Sequence, residues 1–157
     1  MPVVSWTPTV ADVAALIRAR TKIAGGVEVG TFDERTRPTG TEAEAIISQA
    51  VDHVMAAIGG EPCNASLKES SGAAATMLAA VIIETSYWPE QAESRGSSAS
   101  RLETLFNARM KSLTAAVAEQ CGGQGEGTEG ASNAGALAQG GFSDGLALIG
   151  RDYPVTW

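Results

Sequence analysis

The sequence predicts an all-α protein: a small helical bundle of about four helices with one long loop and an extended glycine-rich C-terminal arm. Three observations carry this expectation. Apolar residues recur with a 3.6-residue period in four stretches, each opened by a capping residue and the last three closed by a Gly or Pro breaker. Only one short piece, Val27-Glu28-Val29-Gly30-Thr31-Phe32, alternates as a strand does. Glycine, finally, divides the chain: eight of its 18 glycines fall in residues 1–121 and the other ten in 122–157. A run such as residues 122–130 cannot offset the backbone entropy of a helix or strand. The expected organisation is a helical domain over 1–121, then a tether and docking arm over 122–157.

The first helix opens at Thr9, with Asp12 in its first turn, apolar Val10, Val13, Leu16 and Ile17, and Arg18 and Arg20 at its end. An N-cap, an acidic start and a basic finish match the helix dipole. The second opens at Thr41 with Glu44 three residues on, a capping box. Its stripe runs through Ala43, Ile46, Ile47, Ala50, Val51, Val54, Met55 and Ile58 to Gly59-Gly60. A third helix opens at Ser66 with Glu69. It is apolar nearly all round from Ala73 to Ile83, so it should be the buried central element, and Pro89 stops it. The fourth starts at Ser97 or Ser98, carries Leu102, Leu105, Phe106, Met110, Leu113 and Val117, and ends at Cys121 before Gly122-Gly123.

Residues 21–40 form a long connection for a compact bundle, and such connections are often functional. Lys22, Arg35 and Arg37 lie there beside Asp33 and Glu34, with Phe32 and Pro38 among them, the composition of an interface rim. A solvated loop is the plainer reading of the same charges. Beyond the glycine-rich stretch come Phe142, Leu146, Leu148, Ile149, Arg151, Tyr153, Val155 and Trp157. A side chain of the large apolar kind gains ~1.5–3 kcal/mol on full burial, so this end has a reason to dock. A tether over 122–141 has an r.m.s. reach of ~25 Å, enough to meet a neighbouring subunit. It is expected to be disordered in the free protein and ordered once docked.

Composition and motifs exclude more than they assign. No apolar run approaches the ~18 residues of a membrane span. Met1-Pro2-Val3-Val4 lacks the basic and apolar regions of a secretory signal, so an intracellular, soluble origin is expected. A net charge of −7 argues against a general nucleic-acid binder. Cys63 and Cys121 stand far apart, outside any C-x-x-C pair and with His53 as the only histidine. No metal site is expected, and both cysteines read as reduced thiols. Gly125-Glu-Gly-Thr-Glu-Gly130 matches G-x-G-x-x-G literally. It lacks the flanking strand and helix that aim amides at a pyrophosphate, and its glutamates would repel one. His53 has no acid or nucleophile at helical spacing, so it reads as a surface or packing residue. The sequon Asn64-Ala65-Ser66 reads as capping chemistry. No catalytic constellation and no cofactor set emerges.

The order and spacing of several short motifs resemble the head-to-tail adaptor (connector) proteins of tailed bacteriophages, particularly those infecting actinobacteria. They are Trp6-Thr7-Pro8, Arg18-Ala-Arg20-Thr21, Gly30-Thr31-Phe32, Thr36-Arg37-Pro38-Thr39 leading into a helix with Ile46, Ala50 and Val54, and Glu84-Thr-Ser-Tyr87-Trp88-Pro89-Glu90-Gln91. They span about residues 5–115.

The resemblance implies a non-enzymatic virion protein of the neck. Such proteins form a homo-oligomeric ring, commonly a dodecamer, that joins the portal to the stopper or tail-completion protein. Double-stranded DNA passes through the lumen without specific binding. The anchor to the portal or a neighbouring subunit would be Phe142, Leu146, Leu148, Ile149, Arg151, Tyr153, Val155 and Trp157, with Tyr153 and Trp157 the expected hot spots. Phe32, Arg35 and Arg37 would meet the next ring or an adjacent subunit. The tether, longer and richer in glycine than the family pattern, departs from it. Two other readings compete. One is a different neck component, a stopper or tail-completion protein, which the helical content disfavours. The other is a small cellular helical regulator or antitoxin-like binding module.

Overall fold

The computed structural model describes residues 4–122 except Gly25 and Arg95, all within one compact unit. The chain runs α1 (Val10–Leu16), a 3-10 turn (Arg18–Arg20), β1 (Ile23–Ala24), β2 (Val27–Glu28), α2 (Gly40–Ile58), α3 (Ala65–Tyr87), α4 (Pro89–Ala92) and α5 (Ser98–Cys121). The expected all-α bundle is what forms. The expected anchor residues Phe142, Leu146, Leu148, Ile149, Arg151, Tyr153, Val155 and Trp157, and the tether before them, lie outside the described residues.

α3 is the centre of the bundle, packed against α5 and α2 and touching α1 and α4. Its sequence explains that place. Ala74, Ala75, Ala79 and Ala80 are all fully buried, and their small side chains let helices approach from both sides. Against them α2 lays Ala43, Ile47, Ala50, Val51 and Val54, a stripe at helical spacing. α5 contributes a narrower seam of Ala99, Phe106 and Leu113, one buried residue every seventh position. Gly72 of α3 has a packing reason to be glycine. A Cβ there would stand 2.7 Å from the Trp6 carbonyl oxygen, so the N-terminal segment crosses where only hydrogen fits.

Helix starts follow the predicted chemistry, with two shifts. Thr9 caps α1 and forms a capping box with Asp12, whose carboxyl is held below its ordinary value of 3.8 by the Thr9 hydroxyl and amide. α2 starts two residues before the expected Thr41/Glu44 box, because buried Pro38 delivers Thr39 in extended conformation and Thr39 pairs reciprocally with Glu42. α3 is capped by Asn64 and not Ser66. The Asn64 side-chain oxygen accepts from the Leu67 amide at 2.9 Å, and its amide nitrogen donates to Gln120 at 2.8 Å. Ser97 caps α5 as expected. Pro89 both ends α3 and starts α4 at the first helical position, where its missing N–H costs nothing.

The cysteines correct the sequence reading. Cys63 and Cys121 are joined by a disulfide, with Cα atoms 5.8 Å apart. It ties the loop before α3 to the last residue of α5. Helices of 23 and 24 residues joined through the short α4 run back along one another, so these two ends meet.

Candidate interaction surface

The surface is assembled from the base upward, and the base is a latch around Arg20. α1 stops at Leu16, so Arg18 and Arg20 fall in a separate 3-10 turn and not at the end of α1 as expected. Arg20 instead reaches the far end of α3. Its Nε and Nη2 donate to the two carboxylate oxygens of Glu84, each at 3.1 Å, and Nη2 also donates to Gln91 Oε1 at 2.6 Å. The guanidinium lies over the Trp88 ring, 4.2 Å from its centroid. A planar fork satisfies a carboxylate twice and stacks on an aromatic face at once, which a lysine cannot do. Glu84 is almost fully buried, and a buried carboxylate needs such a partner.

Thr21, directly after the latch, carries the geometry into the loop. Its hydroxyl donates to the Arg18 carbonyl at 2.6 Å and accepts from the Gly30 amide at 3.1 Å. Gly30 has φ of 73°, the left-handed conformation glycine tolerates. The β1–β2 ribbon projects from this base in antiparallel register, Ile23 opposite Glu28 and Ala24 opposite Val27. The strand expected over 27–32 is thus two residues long, with Val29 N–H donating to Lys22 C=O and Lys22 N–H to Thr31 C=O below it. Lys22 Nζ also pairs with Asp33 at 2.8 Å, which with the Arg35 amide holds the Asp33 carboxyl below its ordinary 3.8.

The rest of residues 21–40 is pinned by its own turn. Asp33 Oδ1 accepts from the Arg35 amide at 2.8 Å, and Thr36 Oγ1 accepts from the Asp33 amide at 2.9 Å while donating to Pro38 C=O at 2.7 Å. The Arg37–Pro38 peptide is cis. Phe32 corrects the expectation that it faces a partner: only 6 % exposed, it belongs to the core and anchors the loop from within. Arg35 and Arg37 do face solvent.

Sequence reasoning missed the residues that matter most on this surface. Ile23, Val27 and Val29 are 66, 67 and 48 % exposed, three β-branched aliphatic side chains on a ribbon whose base is fixed. The signal was the alternation in 27–32, which puts Val27 and Val29 on one face of the ribbon, while the register puts Ile23 on the other. A second apolar feature lies elsewhere on the same unit. α3 and α5 enclose an open groove of about 530 Å³ between Leu67, Met77, Leu105, Leu113 and Ala116, with Arg109 at its edge. α5's narrow seam leaves it incompletely filled, and Leu105 is 55 % exposed there. His53 is exposed on α2, its ring 6.4 Å from that of Phe106. Among the described residues no helix is long and apolar enough to cross a membrane. No cluster of three or more potential metal ligands occurs among them either.

No protein-family model, no curated protein and no solved structure matches the chain.

Proposed function

We propose that this chain is a head-to-tail adaptor of a bacteriophage neck, assembling with copies of itself into a ring between portal and stopper or tail-completion protein. The observation that supports it best is the fixed, outward-facing apolar ribbon. Ile23, Val27 and Val29 contribute nothing to the core, yet the Arg20 latch, Thr21 and buried Phe32 hold their ribbon in one place. Side chains of this size gain ~1.5–3 kcal/mol each when a partner covers them fully. The ribbon and the α3–α5 groove are built from different residues, so pairing one with the other makes a heterologous contact, and such contacts close into rings by rotation.

The motif resemblance supplies the neck assignment, and the latch gives it physical content. Arg20, Glu84, Trp88 and Gln91 come from two of the motifs that carry the resemblance, and they meet to hold the base of the ribbon. Net charge −7 suits a lumen through which DNA slides without sticking. In this reading residues 142–157 anchor on the portal, Arg35 and Arg37 meet the next ring or a neighbour, and the protein resides in the virion.

The test is the mass of the full chain alone and mixed with the cognate portal, beside a truncation cut after Gly122 so that Cys121 keeps its partner. Joining the portal as a large ring, with the truncation failing to join, supports both the adaptor reading and the anchor. If both forms stay small and ignore the portal, the neck reading falls and a small helical regulatory module takes its place.

A further inference from the structure

We propose that Cys63 and Cys121 form a redox-controlled clamp on the last two turns of α5, reversible by exchange with a low-molecular-weight thiol–disulfide couple of the glutathione class. The inference rests on the placement of the pair and not on the neck reading. Leu113 is the last fully buried residue of α5. Beyond it Thr114, Ala116 and Val117 are half-buried, and Ala115, Ala118, Glu119 and Gln120 face solvent. Partial packing of Ala116 and Val117 on the core, the disulfide, and the Asn64–Gln120 hydrogen bond at 2.8 Å hold this end to the bundle. An exposed amide–amide bond is a weak tie, because water replaces it readily. Half-buried Ala116 and Val117 bury less than a full core side chain does, so the covalent link is the strongest of these ties.

Access favours exchange. Cys63 is exposed, whereas Cys121 is half-buried. A small thiolate attacks Cys63 Sγ, the Cys63–Cys121 bond breaks, and Cys121 leaves with the electron pair and takes up a proton. A second thiolate then attacks the small-molecule sulfur of the mixed disulfide and releases Cys63, which is protonated in turn. The sum is one protein disulfide plus two small thiols giving two protein thiols plus one small disulfide. Two electrons pass from the small thiols to the protein, and the reverse closes the clamp. Opening frees up to seven residues, Ala115–Cys121. A helix advances ~1.5 Å per residue and an extended chain at most ~3.5 Å, so the attachment point of residue 122 gains up to ~14 Å of reach.

The test is hydrogen exchange on the full chain, air-oxidised, reduced with dithiothreitol, and as Cys63→Ser/Cys121→Ser, with iodoacetamide mass-tagging of each sample. Expected are no tags before reduction and two after it, with amides 114–121 falling to nearly unprotected exchange while 47–54 in α2 stay at least a hundredfold better protected than they. The double variant reproduces the reduced pattern without reductant. Two tags on the air-oxidised folded protein would overturn the proposal, as the bond would not form. So would 114–121 remaining as protected as 47–54 after reduction, however far both have fallen, which would make the link a global staple and not a local clamp.

Discussion

The latch and the ribbon are neighbours in sequence and opposites in design. Arg20 donates from Nε and Nη2 to Glu84 and Gln91 and lays its plane on Trp88, so a charge that the sequence leaves conspicuous is satisfied inside the molecule. Ile23, only three positions on, is two-thirds exposed, and Val27 beside it equally so. A charged motif need not mark a binding site, and an unremarkable aliphatic run need not mark a core. What distinguishes them is whether the fold already accounts for the side chain. Glu84 accounts for Arg20; nothing within the described unit accounts for Ile23, Val27 and Val29.

Breaking the inward-facing side should cost stability, beginning with the longest-range tie. The disulfide closes a loop between positions 58 apart, and chain entropy alone predicts that removing it lowers unfolding stability by ~4 kcal/mol. Urea unfolding of Cys63→Ser/Cys121→Ser against the oxidised chain measures this, and a change below ~1 kcal/mol would deny the link a structural role. Next is the latch. Arg20→Ala strands a buried carboxylate and should cost ~3 kcal/mol in the same assay. Arg20→Lys should recover only part of that, because one ammonium cannot serve both oxygens and stack on Trp88. Full recovery by lysine would mean that charge alone is needed there.

Gly72→Ala sharpens the account of the crossing under Trp6. The added methyl meets a backbone carbonyl at 2.7 Å, and overpacking of this kind typically costs ~1–3 kcal/mol, against the gain in helix propensity that alanine brings elsewhere. A more stable variant would show that the segment moves aside freely. Acid is the gentler probe. Asp12, Asp33 and Glu42 all have carboxyls held below their ordinary values of 3.8, 3.8 and 4.5, by Thr9, by Lys22 and by Thr39 respectively. Their folded forms hold protons less readily than the unfolded chain. The stability they contribute is therefore complete above those ordinary values and is lost as pH falls through them towards the lower folded ones. The effect should be small, since all three groups are largely solvated. Melting temperature followed from pH 6 to pH 2.5 should fall mainly below pH 4.5, and less steeply for Asp33→Asn.

Much of this was legible in the sequence, and the parts that were not share a cause. Helix identity came from periodicity and caps, both local, so Thr9, Ser97 and the apolar centre of α3 read correctly. The N-terminus of α2 shifted because Thr39/Glu42 and Thr41/Glu44 satisfy the same local rule, and only the buried Pro38 chooses between them. Phe32 looked like a partner contact because its loop is charged, yet a loop needs an apolar root as much as a helix does. Arg20 was credited to a helix dipole because its true partner is 64 residues away. The disulfide was hidden by the same distance. Even so, α3 and α5 are near-equal in length and joined through a short link, which is enough to bring residues 63 and 121 to one end of the bundle.

The central claim is that the exposed ribbon is a contact surface for another copy of this chain, and one variant separates contact from folding. Ile23→Ser/Val27→Ser/Val29→Ser removes apolar surface the fold does not use, so unfolding stability should move by less than ~0.5 kcal/mol. The measurement is native mass of the full-length variant beside the wild type, each mixed with the cognate portal. The account predicts a wild-type ring on the portal and a folded variant that stays small. A variant that forms the same ring as the wild type would contradict it.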